Sequence, residues 1–410
     1  MSELKNLKKQ WQAIMSCMNC GDCGYAIRSS VGRYLTCPVK EAKGDQGFEI
    51  YFSRGRMNVL KSILEGKIPL SKELAEFAYQ CSECGNCTEV CHQSQNEYII
   101  LPTSKWIDHV EVWNALRKDL VEAGYAPLDK HRNLIDYMND ETMRNPYGED
   151  ESKKFEWLSE FPNIKQKADL AFFGGCTMPL RQVNTLKNMM KILNASDIDL
   201  AISKDEWCCG SIALRIGDEE SVKNLLERNV AVFKEMGAKS VFTACAGCYR
   251  TLKKDYPEIL GEPLPFEVKH ITEILIDLLN SKNVPFKEEQ DEQKVTYHDP
   301  CHLGRHMNLY EIPRDVISQI PGVKLTEMKR NRKNAWCCGA GGGVKSQFSD
   351  LALDISKDRI LEAIETGADI LTTSCPFCIG NFIDAYNDLE PELQEKIKVI
   401  DLIDFIASKI

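Results

Sequence analysis

Trp207-Cys208-Cys209-Gly210 and Trp336-Cys337-Cys338-Gly339 are the same four residues met twice, and each copy sits inside the same larger pattern. A lone cysteine precedes each pair and a Cys-x-x-Cys follows it. In the first copy 31 residues separate Cys176 from Cys208, 35 separate Cys209 from Cys245, and Cys248 closes the pattern. In the second, 35 residues separate Cys301 from Cys337, 36 separate Cys338 from Cys375, and Cys378 closes it. At a cysteine frequency of about 4%, five fixed positions match by chance at about 10⁻⁷ per starting point, so the repeat is real.

Outward from these cysteines, short β-rich apolar runs precede nearly every one. They are DLAFFGG before Cys176, DLAI before Cys208, SVFTA before Cys245, KVTYHDP before Cys301, VKLTEM before Cys337 and DILTTS before Cys375. Amphipathic stretches such as 218–236 and 350–366 lie between them, so each copy reads as βα units around a small parallel sheet. The cysteines then fall at strand carboxyl ends, where open α/β sheets place ligands. The expected class is α/β with a helical amino-terminal part, divided into 1–104, a helical connector 105–165, and the two repeats 166–288 and 289–410. Within 1–104 a helical stretch is expected around 65–79. The polar run NDETMRNPYGEDESKKFE reads as solvated loop, and the terminal KVIDLIDFIASKI as an exposed amphipathic helix.

The remaining eight cysteines lie before residue 104. Cys81, Cys84, Cys87 and Cys91 follow the C-x₂-C-x₂-C-x₃-C spacing of bacterial [4Fe-4S] proteins, in which the fourth cysteine ligates the other cluster. Cys17, Cys20 and Cys23 repeat the first part, but thirteen residues (GYAIRSSVGRYLT) precede the fourth, Cys37. The expected cubanes are therefore Cys17, Cys20, Cys23 with Cys91, and Cys81, Cys84, Cys87 with Cys37. Structural zinc uses two Cys-x-x-Cys pairs, and a run of three cysteines, twice over, favours iron and sulfide. His92 beside Cys91 is expected to be a neighbour of the site, since four thiolates complete the count.

Composition narrows the rest. The chain has 410 residues, 51 Lys and Arg against 61 Asp and Glu, a net charge of −10, and 18 cysteines. Nothing offsets phosphate repulsion, which argues against a nucleic-acid partner. Clustered cysteines in a long chain point to metal or redox chemistry over a disulfide framework. MSELKNLKKQWQAI lacks the apolar core of a signal peptide, and no run suits a spanning helix, so a cytoplasmic protein is expected, held at the inner membrane face if a partner subunit is membrane-bound.

Five thiolates per repeat exceed what one cubane takes, and an adjacent pair is awkward for one tetrahedral metal. With FFGGC, CCGS, CAGCYRTLKKDYP, YHDPCHLGRH, NAWCCGAGGG and SCPFC, the chain resembles the CCG-domain iron-sulfur oxidoreductases, typified by the catalytic subunits of heterodisulfide reductase. Its layout is similar to that of the D subunits. The resemblance implies an anaerobic electron-transfer enzyme with two noncubane [4Fe-4S] clusters. Cys176, Cys208, Cys209, Cys245 and Cys248 would hold one; Cys301, Cys337, Cys338, Cys375 and Cys378 would hold the other. It implies reduction of a small-molecule disulfide, that of coenzyme M and coenzyme B or a related one, between them, fed by the two cubanes. Similar layouts also occur in iron-sulfur subunits of glycolate, lactate and glycerol-3-phosphate dehydrogenases and of benzoyl-coenzyme A reductase complexes. The insert before Cys37 departs from the expected pattern and keeps an electron-transfer subunit open. With no flavin or nicotinamide fingerprint, electrons are expected from another polypeptide, a b-type cytochrome membrane subunit or a flavoprotein.

Several residues near the cysteines have plain readings. Trp207 and Trp336 read as packing that shields a cluster. Gly341, Gly342 and Gly343 do not match GxGxxG and read as a close approach of backbone. Arg215, Arg250, Arg305, His306 and Lys345 either meet an anionic substrate or offset cluster charge. His298 and His302 flank Cys301 as proton donors or as hydrogen-bonded structure.

Overall fold

Five of the six apolar runs before the cysteines become short strands of three to five residues. The computed structural model describes residues 4–28, 32–44, 48–91, 107–287 and 292–410; His92 lies outside them. Strands β3 (Leu170–Phe172), β4 (Ser240–Thr243) and β5 (Glu267–His270) form a parallel sheet in that order. Strands β6 (Gln293–Tyr297), β7 (Val323–Leu325), β8 (Ile370–Thr373) and β9 (Lys398–Asp401) form a second parallel sheet, ordered β7-β6-β8-β9. Strand β8 reads Ile-Leu-Thr-Thr, all buried, as a parallel strand covered on both faces should be. DLAI forms no strand; Ala201 makes only isolated parallel bridges to Lys165 and Ala171.

The chain forms two compact units, each assembled from separated segments. One contains residues 1–132, 212–219 and 329–359; the other contains 133–211, 220–328 and 360–410. Both parallel sheets belong to the second unit and share one hydrophobic core. Phe172, Phe242, Ile271 and Leu275 from the first repeat and Val295, Tyr297, Ile317 and Ile370 from the second lie in it. Phe172 and Phe242, adjacent across β3 and β4, stack with ring centroids 5.0 Å apart.

In the first unit β1 (Tyr25–Arg28) and β2 (Gly32–Leu35) pair antiparallel, and the other regular elements among the described residues are helices. Its helices include Ser53–Leu64, Lys72–Ala78, Asn86–Val90 and His109–Glu122. The helix expected around 65–79 begins later, because Gly66 is left-handed (φ +72°) and the Ser71 hydroxyl caps a new helix by accepting from Leu74 N at 3.2 Å.

Two further expectations change. The polar run before Trp157 is not simply solvated: Asn145 and Lys154 are fully buried, and a 3₁₀ stretch covers Glu151–Glu160. The terminal segment is not an exposed helix. Its first residues form edge strand β9, and the helix Leu402–Ser408, capped by Asp401, buries Leu402, Ile403, Phe405 and Ile406 in the core. Among the described residues no helix is long and apolar enough to cross a membrane.

Candidate metal centres

In the first unit Cys37, Cys81, Cys84 and Cys87 line a single cavity, together with Arg56, Ser82, His109 and Trp113. Cys37 precedes Pro38, the first residue of helix Pro38–Ala42, and Cys87 sits in helix Asn86–Val90 behind left-handed Gly85 (φ +77°). Burial pushes the Cys37 thiol up to about 11, with Arg56 pulling the other way. Arg56 is 5% exposed, stacks on Trp113 at 5.0 Å and lies close to Cys81, yet its Nε and Nη2 have no hydrogen-bond partner. A buried cation with idle donors facing thiols is poorly placed without an anion. Four thiolates around an iron-sulfur cluster supply that anion, so these residues fit the group.

Cys17, Cys20 and Cys23 lie in the same unit, and Cys17 and Cys20 are near enough to act on the Cys23 thiol. Burial raises the Cys23 thiol well above its ordinary value, although Arg54 N donates to its Sγ at 3.1 Å. Gly21 is left-handed, and a Cβ there would lie 2.6 Å from the Arg54 guanidinium, so the loop closes tightly on that side chain. Cys91, the expected fourth partner, is buried at the end of helix Asn86–Val90. Of all 18 cysteines only Cys20 is exposed.

The second unit gathers the first repeat's five cysteines. Cys176 follows β3, and Cys245 follows β4 as the cap of helix Ala246–Arg250, which contains Cys248. The thiols of Cys176, Cys208, Cys209, Cys248 and Cys245 lie in succession, each close enough to its neighbour to shift its ionisation, and Cys375 of the second repeat acts in the same way on Cys245. The neighbouring Cys208 thiol and burial push Cys176 well up. Cys209 goes the other way, held below the ordinary thiol value by the Cys208 and Cys248 thiols beside it. Gly175 (φ +64°) must lack a side chain, since a Cβ would stand 3.1 Å from Cys248 Sγ.

Residues that sequence reading passed over hold this cysteine chain in place. Glu206 accepts from Gly174 N at 3.1 Å and Gly175 N at 3.0 Å, tying the Cys176 loop to the Cys208 loop. Burial raises the Glu206 carboxyl to about 7 against the opposing pull of buried Lys154, 3.7 Å away. Asn229 accepts from Trp207 N at 2.8 Å and donates to Cys208 O at 3.2 Å, while Tyr256 donates to Cys209 O at 3.0 Å. Tyr256 lies inside the quoted CAGCYRTLKKDYP string; Lys154, Glu206 and Asn229 carry no local signal. Trp207 is buried between the Arg144 and Arg228 guanidinium groups, at 4.8 and 4.1 Å.

The second repeat divides between the units. Cys301, Cys375 and Cys378 lie in the second, and Cys337 and Cys338 in the first. Cys375 caps helix Pro376–Asn387, with Cys378 in its first turn. Cys301 has its sulfur near a nitrogen each of His302 and His306, all within 4.8 Å of one another. His298 extends β6 by donating its N–H to Thr372 O at 2.8 Å and stacks edge-on with Phe382. In the first unit Trp336 is fully buried under Arg330, and Gly339 N donates to Cys337 Sγ at 3.3 Å.

The glycine run is a close approach, and the backbone it meets is that of the cysteine loop. A Cβ on Gly341 would lie 2.7 Å from Ser82 O, and one on Gly342 2.4 Å from Cys81 O. Of the basic residues considered for an anionic substrate, Arg250 is buried with an ion pair to Asp255 at 3.7 Å. Arg215 is buried and its carbonyl accepts from Arg117, while Arg305, His306 and Lys345 are half-buried.

These features define an iron-sulfur oxidoreductase subunit built on two cysteine-rich domains. The cysteine-rich CCG domain matches residues 170–253 and 295–383, which contain the two five-cysteine sets. The chain belongs to the family of heterodisulfide reductase D subunits. It is 38% identical over 423 residues to the D subunit of the dihydromethanophenazine:CoB-CoM heterodisulfide reductase of Methanosarcina acetivorans, covering 99% of this chain and 96% of that one. It is also similar to the B subunit of the fumarate reductase (CoM/CoB) of Methanothermobacter marburgensis, at 32% identity over 81% of this chain and 61% of the relative. The protein of Bacillus subtilis described as "Probable iron-sulfur-binding oxidoreductase FadF" is 28% identical over 82% of this chain and 47% of its own.

Proposed function

We propose that the chain is a catalytic iron-sulfur subunit that reduces a small-molecule disulfide, the heterodisulfide of coenzyme M and coenzyme B or a close relative. The observation that carries this reading is the unbroken run of thiols from Cys176 to Cys375, which brings the two Cys-x-x-Cys loops together. Soft metal on both sides of a disulfide can take up both of its sulfur products, since thiolate sulfur is a good ligand for iron. The clusters, when bound, supply single electrons and iron that takes up sulfur. Cys176, Cys208, Cys209, Cys245 and Cys248 would hold one noncubane cluster, and Cys301, Cys337, Cys338, Cys375 and Cys378 the other. Cys37, Cys81, Cys84 and Cys87 would hold one cubane in a ferredoxin-like amino-terminal region, and Cys17, Cys20, Cys23 and Cys91 the second.

The chain's own residues then have separate tasks. Arg56 balances the charge of the set around Cys81. Glu206, Asn229 and Tyr256 fix the backbone on either side of the Cys208–Cys209 pair. His302 and His306 stand beside Cys301, where a proton for a leaving thiolate is needed. Exposed Cys20, next to Met18 at 68% exposure, marks where an electron-donating partner protein would meet the chain.

Full-length protein made anaerobically should contain about sixteen irons with matching acid-labile sulfide. Stoichiometric zinc without sulfide would defeat the reading. With reduced viologen as donor, the wild type should reduce the coenzyme M and coenzyme B disulfide. C209S and C338S should abolish that activity while leaving dye reduction of the amino-terminal clusters intact, because an alkoxide is a hard, poor substitute for thiolate. The relatives in fumarate-reducing and other oxidoreductase contexts favour a second reading, an electron-transfer subunit. A full iron complement without activity on any disulfide would select it.

A further inference from the structure

Ser82 stands where the Cys81 loop and the Cys337 loop of the first unit meet. It follows Cys81 directly, it is 1% exposed, and its Oγ accepts from Cys337 Sγ at 3.5 Å. The contact is held on both sides. Gly341 and Gly342 press their backbone against Ser82 O and Cys81 O, closer than any side chain would permit. Arg117, fully buried, donates to Cys81 O at 2.8 Å and to Gly342 O at 3.0 Å, so one guanidinium clasps both loops. Glu83, also buried and in the left-handed region (φ +52°), pairs with the same guanidinium at 2.8 Å. Holding a non-glycine residue in that region is unfavourable, and the surrounding contacts must offset it.

We propose that Ser82 is the electron-transfer contact between the metal centre on Cys81 and the one on Cys337, and that its hydroxyl tunes the second. This rests on the iron-sulfur reading above. With Cys337 as a bound thiolate, the Ser82 hydroxyl turns from acceptor to donor toward its sulfur. Hydrogen bonds to ligand sulfur help set a cluster's reduction potential, by stabilising the added negative charge. The path between the sulfurs is the covalent skeleton of one dipeptide followed by that single hydrogen bond. One electron moves: the centre on Cys81 is oxidised, the one on Cys337 reduced, and no bond or proton is exchanged. A reduced viologen serves as the external one-electron donor.

The test uses the full chain, prepared anaerobically, as wild type, S82A and S82T. S82A removes only the oxygen; S82T keeps it. Iron and sulfide are measured first, then midpoint potentials by redox titration followed by electron paramagnetic resonance, then the rate at which each centre is reduced, by rapid freeze-quench. S82A should keep full iron and unchanged amino-terminal midpoints, lower the midpoint of the Cys337 centre, and slow its reduction at least tenfold. S82T should stay close to wild type in both.

An S82A protein with normal iron, the same midpoint and a reduction rate within twofold of wild type overturns the proposal. So does S82A protein short of iron, since the hydroxyl would then serve assembly, and so does S82T behaving like S82A. Wild type that contains zinc and no sulfide is a different result, and it defeats the iron-sulfur reading itself.

Discussion

Arg56 shows how much of a metal centre lies in residues that are not ligands. Its guanidinium lies over the rings of Phe77 and Trp113, 5.9 and 5.0 Å from their centroids, close to Cys81, with two donor nitrogens left over. Replacing it with methionine keeps most of the packing and removes the charge. R56M should lower the midpoint of the centre in that cavity, or its occupancy, while the set around Cys176 keeps its own; titration followed by resonance spectroscopy checks both, and an unchanged midpoint would argue against the role. The cysteine motifs stand out in the sequence, since their spacing is a local property of the chain. Arg56, Lys154, Glu206 and Asn229 were not, because each is an ordinary residue until tertiary structure aims it at a cysteine loop.

At the scale of elements, apolar runs announced β3, β4, β6, β7 and β8, since each run ends at or just before a cysteine loop. Strand β5 escaped because Glu-Val-Lys-His carries a single apolar residue and no cysteine loop follows it directly, and β9 because Lys398–Asp401 merges into a sequence with helical periodicity. The glycine run is an element whose meaning emerged only in three dimensions. Gly342 (φ +62°) has Cys81 O 2.4 Å from where a Cβ would stand, whereas Gly367 (φ +67°) has nothing within 4 Å. Alanine at either site incurs the left-handed strain, about 1 kcal/mol, and at Gly342 the clash with backbone adds to it. G342A should therefore be destabilised by about 2–3 kcal/mol more than G367A in chemical denaturation of the cluster-free protein. Equal losses would mean that the loops do not press together.

Over the whole molecule, the sequence repeat and the compact units follow different boundaries. The two repeats look like successive domains along the chain, but residues 329–359, with Cys337 and Cys338, belong to the unit that contains residues 1–132. The attachment is specific: Tyr34 donates to Asn334 Oδ1 at 2.9 Å, Arg117 to Gly342 O at 3.0 Å, and the His131 ring lies 2.9 Å from Gly343 O. Linear spacing cannot reveal such an exchange, because the spacing of Cys301, Cys337 and Cys375 is the same whichever unit each joins. A fragment beginning at Asn133 keeps every residue of the second unit and removes the partners of 329–359. In that fragment, without metal, Cys337 and Cys338 should alkylate at least about tenfold faster than in the full chain, as expected where local opening controls access. Cys208 and Cys209, held by Asn229 and Tyr256 within the second unit, should keep their full-chain rates. Mass spectrometry of the labelled peptides gives both numbers. Protection of Cys337 and Cys338 in the fragment equal to that in the full chain would show that residues 1–132 do not hold this segment.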